Sequence, residues 1–171
     1  MSDRLLDAIT DMETALSAMQ VEGGYRRDWG PVILAEWPWH VETDYARPRV
    51  QLSYATQGSG GPRGYEKAGD LHHYTEEILV SVNVKPDIRE DGVLDIISPV
   101  QDFRADVHKA LMGTALGRNR GLDRHMATYY LGRRTAFLAE SIETLGARTT
   151  EVYGLLWAHK TGNMEAGPGS A

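Results

Sequence analysis

The fold turns on the run Leu71 to Lys85, LHHYTEEILVSVNVK. Tyr74, Ile78, Val80, Val82 and Val84 share one parity, and Glu77, Ser81, Asn83 and Lys85 share the other. That alternation predicts a strand with one face on a core. Just downstream, Ser98-Pro99-Val100-Gln101 combines a capping serine, a proline at the first helical position and a glutamine three residues after the cap, which predicts a helix start. Val100, Phe103, Val107 and Leu111 supply its buried stripe, and Gly113 or Gly117 its end. His108, beside the stripe, reads as a packed or solvated histidine rather than a ligand.

Upstream, Leu5, Leu6, Ile9, Met12, Leu16 and Met19 recur at spacings of three and four, predicting an amphipathic helix that starts at Ser2 and ends at Gly23-Gly24. Pro31–Thr43 and Arg49–Thr56 are expected as strands, with Pro38 placing the first at a sheet edge or a bulge. Trp37-Pro38-Trp39 is either a core corner or an exposed aromatic patch. Gln57–Asp70, QGSGGPRGYEKAGD, is too rich in glycine for a helix or strand and is expected as a long hairpin loop. Met126–Leu131 and Arg133–Ile142 are expected as a strand pair or one strand bent at Gly132, and Val152–Lys160 as the strand that closes the sheet. The order predicts an α+β fold: a mostly antiparallel sheet against an amino-terminal and a central helix. One domain is expected over 1–160, with loop 57–70 as a protruding arm and 161–171 as a tail.

A chain of 171 residues is long enough for one well-buried core. With no cysteine, a disulfide framework, a zinc–thiolate site and a cysteine nucleophile are excluded. Asp3, Asp7, Asp11 and Glu13 interrupt the opening run, so no signal peptide is expected there, and no run approaches the roughly 20 apolar residues of a membrane span. A formal net charge of −6 argues against non-specific phosphate binding as the main task.

Chemistry-bearing motifs are sparse. Adjacent His72 and His73 would point to opposite faces of a strand, and a metal built from either with Glu76 or Glu77 would need distant partners. Gly58-Ser59-Gly60 lacks a nucleophile-elbow setting, and the glycine loop lacks the Gly-Lys-Ser/Thr of a phosphate cradle. No catalytic, cofactor-binding or metal-ligating residue is therefore assigned. Arg118, Arg120, Arg124, Arg133 and Arg134 form a basic stretch that is either an interface or a solvated loop with scattered ion pairs.

The layout resembles the tail terminator and tail-completion proteins of long-tailed bacteriophages. The resemblance rests on the helix Leu5–Met19, the proline-led strand Arg47-Pro48-Arg49-Val50-Gln51-Leu52, the strand Glu77–Lys85, the helix Ser98–Leu111 and the strand Val152–Lys160. It is a pattern of elements rather than a sequence signature. It implies a structural virion protein without catalytic residues, made in the host cytoplasm, that forms a ring, a hexamer in the family, at the head-proximal end of the tail. Implied partners are further copies, the tail tube protein, head–tail connector or neck proteins and, as a further candidate, a tail sheath; DNA is passing cargo, and no membrane is involved. Gly58, Arg63, Tyr65, Arg118, Arg120, Arg124, Arg133, Arg134, Met164 and Pro168 are the expected interface residues. A small-ligand or metal-dependent enzyme, or a monomeric binding module, stands as the alternative.

Overall fold

The computed structural model describes residues 4–34, 42, 44–54, 65–68, 71–112, 127–138 and 145–160. Its elements are α1 (Arg4–Ser17), β1 (Val32–Leu34), β2 (Val50–Tyr54), β3 (Tyr65–Ala68), β4 (Leu71–Val84), β5 (Asp87–Ile88), β6 (Leu94–Asp95), α2 (Ile97–Met112), β7 (Ala127–Leu138) and β8 (Gly146–Lys160). Six strands make one sheet in the order β1-β2-β4-β8-β7, with β3 on β4 beyond the end of β2. Among the described residues only β1 and β2 pair in parallel, so the expected α+β fold with a mostly antiparallel sheet is the one observed.

The alternation in β4 does what its period predicts. Ile78, Val80, Val82 and Val84 are buried, and their register partners Tyr153, Glu151, Thr149 and Ala147 share their face. Onto that face pack Ile9, Met12 and Leu16 of α1 and Val100, Phe103, Val107 and Leu111 of α2. Each such side chain contributes about 1.5–3 kcal/mol of burial. The other face is polar yet also largely covered at Gln51, Ser53 and Ser81. There the Ser81 and Thr150 hydroxyls lie 2.8 Å apart, and the Arg148 guanidinium donates to Asn83 Oδ1 at 3.3 Å and Gln51 Oε1 at 3.2 Å.

Four expectations change. β8 does not close the sheet: it begins at Gly146 and lies between β4 and β7, which leaves β7 at the edge. The stretch 57–70 is not all loop, since Tyr65–Ala68 pairs with Leu71–Tyr74. Glycine-free within that short window, YEKA can pair along β4. The cap of α2 is Asp95 rather than Ser98: its Oδ1 accepts from the Ile97 and Ser98 amides at 2.9 and 3.1 Å, and the Ser98 hydroxyl donates to its Oδ2 at 2.6 Å. These bonds hold the Asp95 carboxyl below the usual carboxylate range, the Ser98 hydroxyl first among them. Finally, α1 stops at Ser17, before a separate one-turn helix at Val21–Gly23. Ser2, Pro38, the Trp37-Pro38-Trp39 cluster, Gly113, Gly117 and the tail 161–171 lie outside the described residues.

Buried Asp106 on α2 fixes the connection between α1 and β1. Both of its oxygens accept from the Arg26 amide at 3.0 Å, and Oδ2 also accepts from the Arg27 amide at 3.2 Å and from Trp29 Nε1 at 2.8 Å. Trp29, thus aimed inward, meets Phe103 edge-on with ring centroids 5.0 Å apart. Gly30 follows, where a Cβ would sit 2.3 Å from the Arg47 carbonyl oxygen, so only glycine lets β1 run in beside β2. Asp106→Ala orphans three donors, the buried Trp29 indole among them, and is expected to cost about 3 kcal/mol or more in urea denaturation. A loss below about 1 kcal/mol would show that the Arg26–Trp29 segment is held by other means.

Candidate functional site

Along the edge strand β7 the ladder to β8 is regular from Ala127 to Tyr130, skips Leu131, and resumes with Gly132 opposite Val152. Leu131 is the extra residue of a β-bulge, and Gly132 takes φ 153°, a backbone setting that disfavours a side chain. The bulge leaves Leu131 45 % exposed and turns out two exposed guanidinium groups, Arg133 opposite Glu151 and Arg134 opposite Thr150. Among the described residues no strand pairs with the outer side of β7.

Beneath this edge lies a buried polar cluster. Glu151 has no solvent exposure; its Oε2 accepts from the Tyr130 hydroxyl at 2.7 Å, and its Oε1 has no hydrogen-bond partner among the described residues. Burial pushes the Glu151 carboxyl above the usual range, against the opposing pull of the Tyr130 hydrogen bond and of Arg133 and Arg104. Burial first and the Glu151 contact second push Tyr130 up to about 12, and burial raises Tyr153 further. His108 Nδ1 lies 3.1 Å from the Tyr153 hydroxyl, and its ring meets Tyr130 edge-on at 5.0 Å. Burial lowers the pKa of His108, and the charge of Arg104 adds to this. The Arg104 guanidinium in turn sits over the Tyr130 ring, 5.6 Å from its centroid. Chemically, the cluster joins α2 to the edge strand and makes a buried carboxyl harder to ionise. Arg104 and His108 of this cluster also line a shallow depression of about 320 Å³ together with Arg26, Gln101 and Ala105.

Of the expected interface residues, Arg133 and Arg134 stand together on β7, on opposite faces of the sheet. Tyr65 lies on β3 in register with Tyr74, some distance along the sheet from them. Gly58, Arg63, Arg118, Arg120, Arg124, Met164 and Pro168 lie outside the described residues. Register sets His72 opposite His159 and His73 opposite Ala158. Among the described residues, no group of three His, Cys, Asp or Glu side chains is placed to hold a metal ion, and no helix is long and apolar enough to cross a membrane. Glu151, Tyr130 and Asp106 were not singled out from the sequence. The one signal for Glu151 was its parity with Ala147, Tyr153 and Leu155, which marks it as core-facing. No protein-family model matches the chain, and no curated protein matches its sequence.

The two shifted groups act in opposite pH ranges. Glu151, raised in the folded protein, gives its full share of stability below the ordinary carboxylate range and loses it as pH climbs through the raised value. His108, lowered, gives its share above the ordinary imidazole value and loses it as pH falls through the depressed one. Glu151→Gln keeps an acceptor for the Tyr130 hydroxyl and removes the ionisation. Its melting temperature is expected to exceed that of the parent at about pH 8 and to converge with it at about pH 4. A constant difference across that range would contradict a buried, proton-holding carboxyl.

Proposed function

We propose that this chain is a self-assembling structural protein of the bacteriophage tail neck, a tail terminator whose copies form a ring at the head-proximal end of the tail tube. The observation that carries the reading is the edge of β7. A strand of 12 residues presents an unpaired side among the described residues and carries exposed Leu131, Arg133 and Arg134. An open edge of that length is a template for another chain, while a bulge and like charges restrict which chain can use it. Such a combination suits specific assembly better than a solitary domain.

Two further features support the neck reading. The order of elements, with an amino-terminal helix, a first set of strands, a central helix and a final strand pair, follows the layout of the tail terminators named above. The sheet also runs on past the core: Tyr65–Ala68, Leu71–Thr75 and Leu156–Lys160 continue it as a ribbon about 17 Å long. That ribbon takes over the reach expected of loop 57–70 and suits contact with a neighbouring copy, the tail tube or the connector. Copies would be six in number by the same resemblance, with DNA passing through the ring. A second reading, a small anionic ligand, is favoured only by the depression that gathers Arg26, Arg104 and His108.

Light scattering of the purified chain, alone and mixed with tail tube or connector proteins, tests the proposal, followed by electron microscopy of any assembly. A multiple of 19.0 kDa and ring-shaped particles are expected, the ring forming on tube ends if not alone. Arg133→Glu with Arg134→Glu is expected to weaken assembly at least about tenfold, or about 1.4 kcal/mol per contact, while the monomer stays folded. A 19.0 kDa species that ignores those partners would overturn the proposal.

A further inference from the structure

We infer that β7 of one copy docks against the opposite, acidic flank of the next copy, around α1 and β1, and not against β7 of a two-fold partner. The inference rests on the assembly proposed above and specifies its geometry.

The exclusion of self-pairing comes from where the arginines sit. Gly132 and Arg133 are the middle two residues of Ala127–Leu138. A two-fold antiparallel pairing of β7 with itself is fullest when these central residues meet. In either such register Arg133 lies opposite or diagonal to its own copy, with Arg134 beside them. Like charges at those positions are destabilising in a sheet, and the bulge at Leu131 breaks the ladder at the same place.

The choice of the opposite flank comes from the distribution of charge. The core stripe of α2, Val100, Phe103, Val107 and Leu111, divides the helix into two sides. One side carries Arg104 and His108 and faces Tyr130 of β7. The other carries Asp102 and Asp106 and holds the Arg26–Trp29 segment that leads to β1. The β7 side therefore presents Arg104, Arg133 and Arg134, all exposed. Across the sheet, the charged side chains without a salt bridge among the described residues include Glu13, Glu22, Asp28 and Asp44 against Arg47, while Arg49 pairs with buried Glu42. Glu13 lies one helical turn before Ser17, which lines a depression of about 410 Å³ with Gly30, Pro31, Asp44 and Arg47. β1, the second edge of the sheet among the described residues, starts beside that depression and carries Leu34 52 % exposed, a match for exposed Leu131. Basic edge and acidic edge on one chain are complementary between copies and not within a two-fold pair. A head-to-tail contact of this kind closes into a ring when its rotation permits.

The chain has no cysteine, so introduced thiols report only the designed contact. Copies carrying Leu131→Cys are mixed with copies carrying Leu34→Cys and treated with a short bifunctional thiol cross-linker. Cross-linked product from the mixture is expected to exceed that from either variant alone by at least about tenfold. Adding Glu13→Lys and Glu22→Lys to the Leu34→Cys copies is expected to abolish it, and adding Arg133→Glu and Arg134→Glu to the Leu131→Cys copies to restore it. Efficient cross-linking of Leu131→Cys with itself, or an assembled protein that cross-links in neither arrangement, would overturn this inference and leave the ring reading standing. A parent chain that stays monomeric with and without tube proteins would overturn both.

Discussion

The carboxylate of Asp106 is the buried centre of the contacts that hold the Arg26–Trp29 segment against α2. It is buried on α2 and accepts from the Arg26 and Arg27 amides and from Trp29 Nε1. Backbone donors in an irregular segment need partners if that segment is to lie against a core, and here one side chain serves two of them and the Trp29 indole as well. Around it, Asp102 accepts from Arg26 and Arg27, and the Arg27 guanidinium spans to Asp87 on β5. The hydrogen bond with Asp87 is the main reason that Arg27 holds its proton more firmly than a free guanidinium. Lys109 completes the attachment by donating to the Gly24 carbonyl at 2.7 Å and covering the Tyr25 ring.

With α2 anchored on that side, its opposite side is left to face the edge of the sheet. Arg104 and His108 thereby come to lie over Tyr130, and the Tyr130 hydroxyl reaches down to Glu151. A fully buried carboxyl in a sheet is costly when ionised, so the cluster favours the protonated form at a place where an apolar residue would have packed without penalty. It ties β7 to the helix layer through polar contacts, beneath an outer side that carries the exposed arginines. Asymmetry of the helix layer thus becomes asymmetry of charge across the molecule, and the proposed assembly uses it.

Much of this architecture was legible in the chain because burial writes a period into it. Ile78, Val80, Val82 and Val84 fall at every second position because one face of β4 meets two helices, and Val100, Phe103, Val107 and Leu111 recur because α2 meets that face. What could not be read was spatial order. Nothing local in Val152–Lys160 says that β8 lies between β4 and β7 instead of at the edge, since interior and edge antiparallel strands share a period. β3 escaped notice because Tyr65-Glu66-Lys67-Ala68 is short, half charged and set among glycines; its pairing depends on the long partner strand. The cap of α2 was displaced by three residues because Ser98 and Asp95 are both good caps, and the Asp95 carboxylate bonds the Ser98 hydroxyl itself. Glu151 and Asp106 are single polar residues in apolar patterns, and only the coordinates reveal what they bond.

The central claim is that the open side of β7 is a contact surface between copies of the chain. Hydrogen exchange of the β7 amides, followed by mass spectrometry over a wide range of protein concentration, tests it without any substitution. Among the described residues, amides on the side of β7 away from β8 have no ladder partner in a single copy, so they are expected to exchange fast when the protein is dilute. Slowing of those amides by at least about tenfold as concentration rises, while the β4–β8 ladder is unchanged, is the predicted result. Exchange along β7 that stays fast and independent of concentration, including in the presence of tail tube protein, would contradict the account.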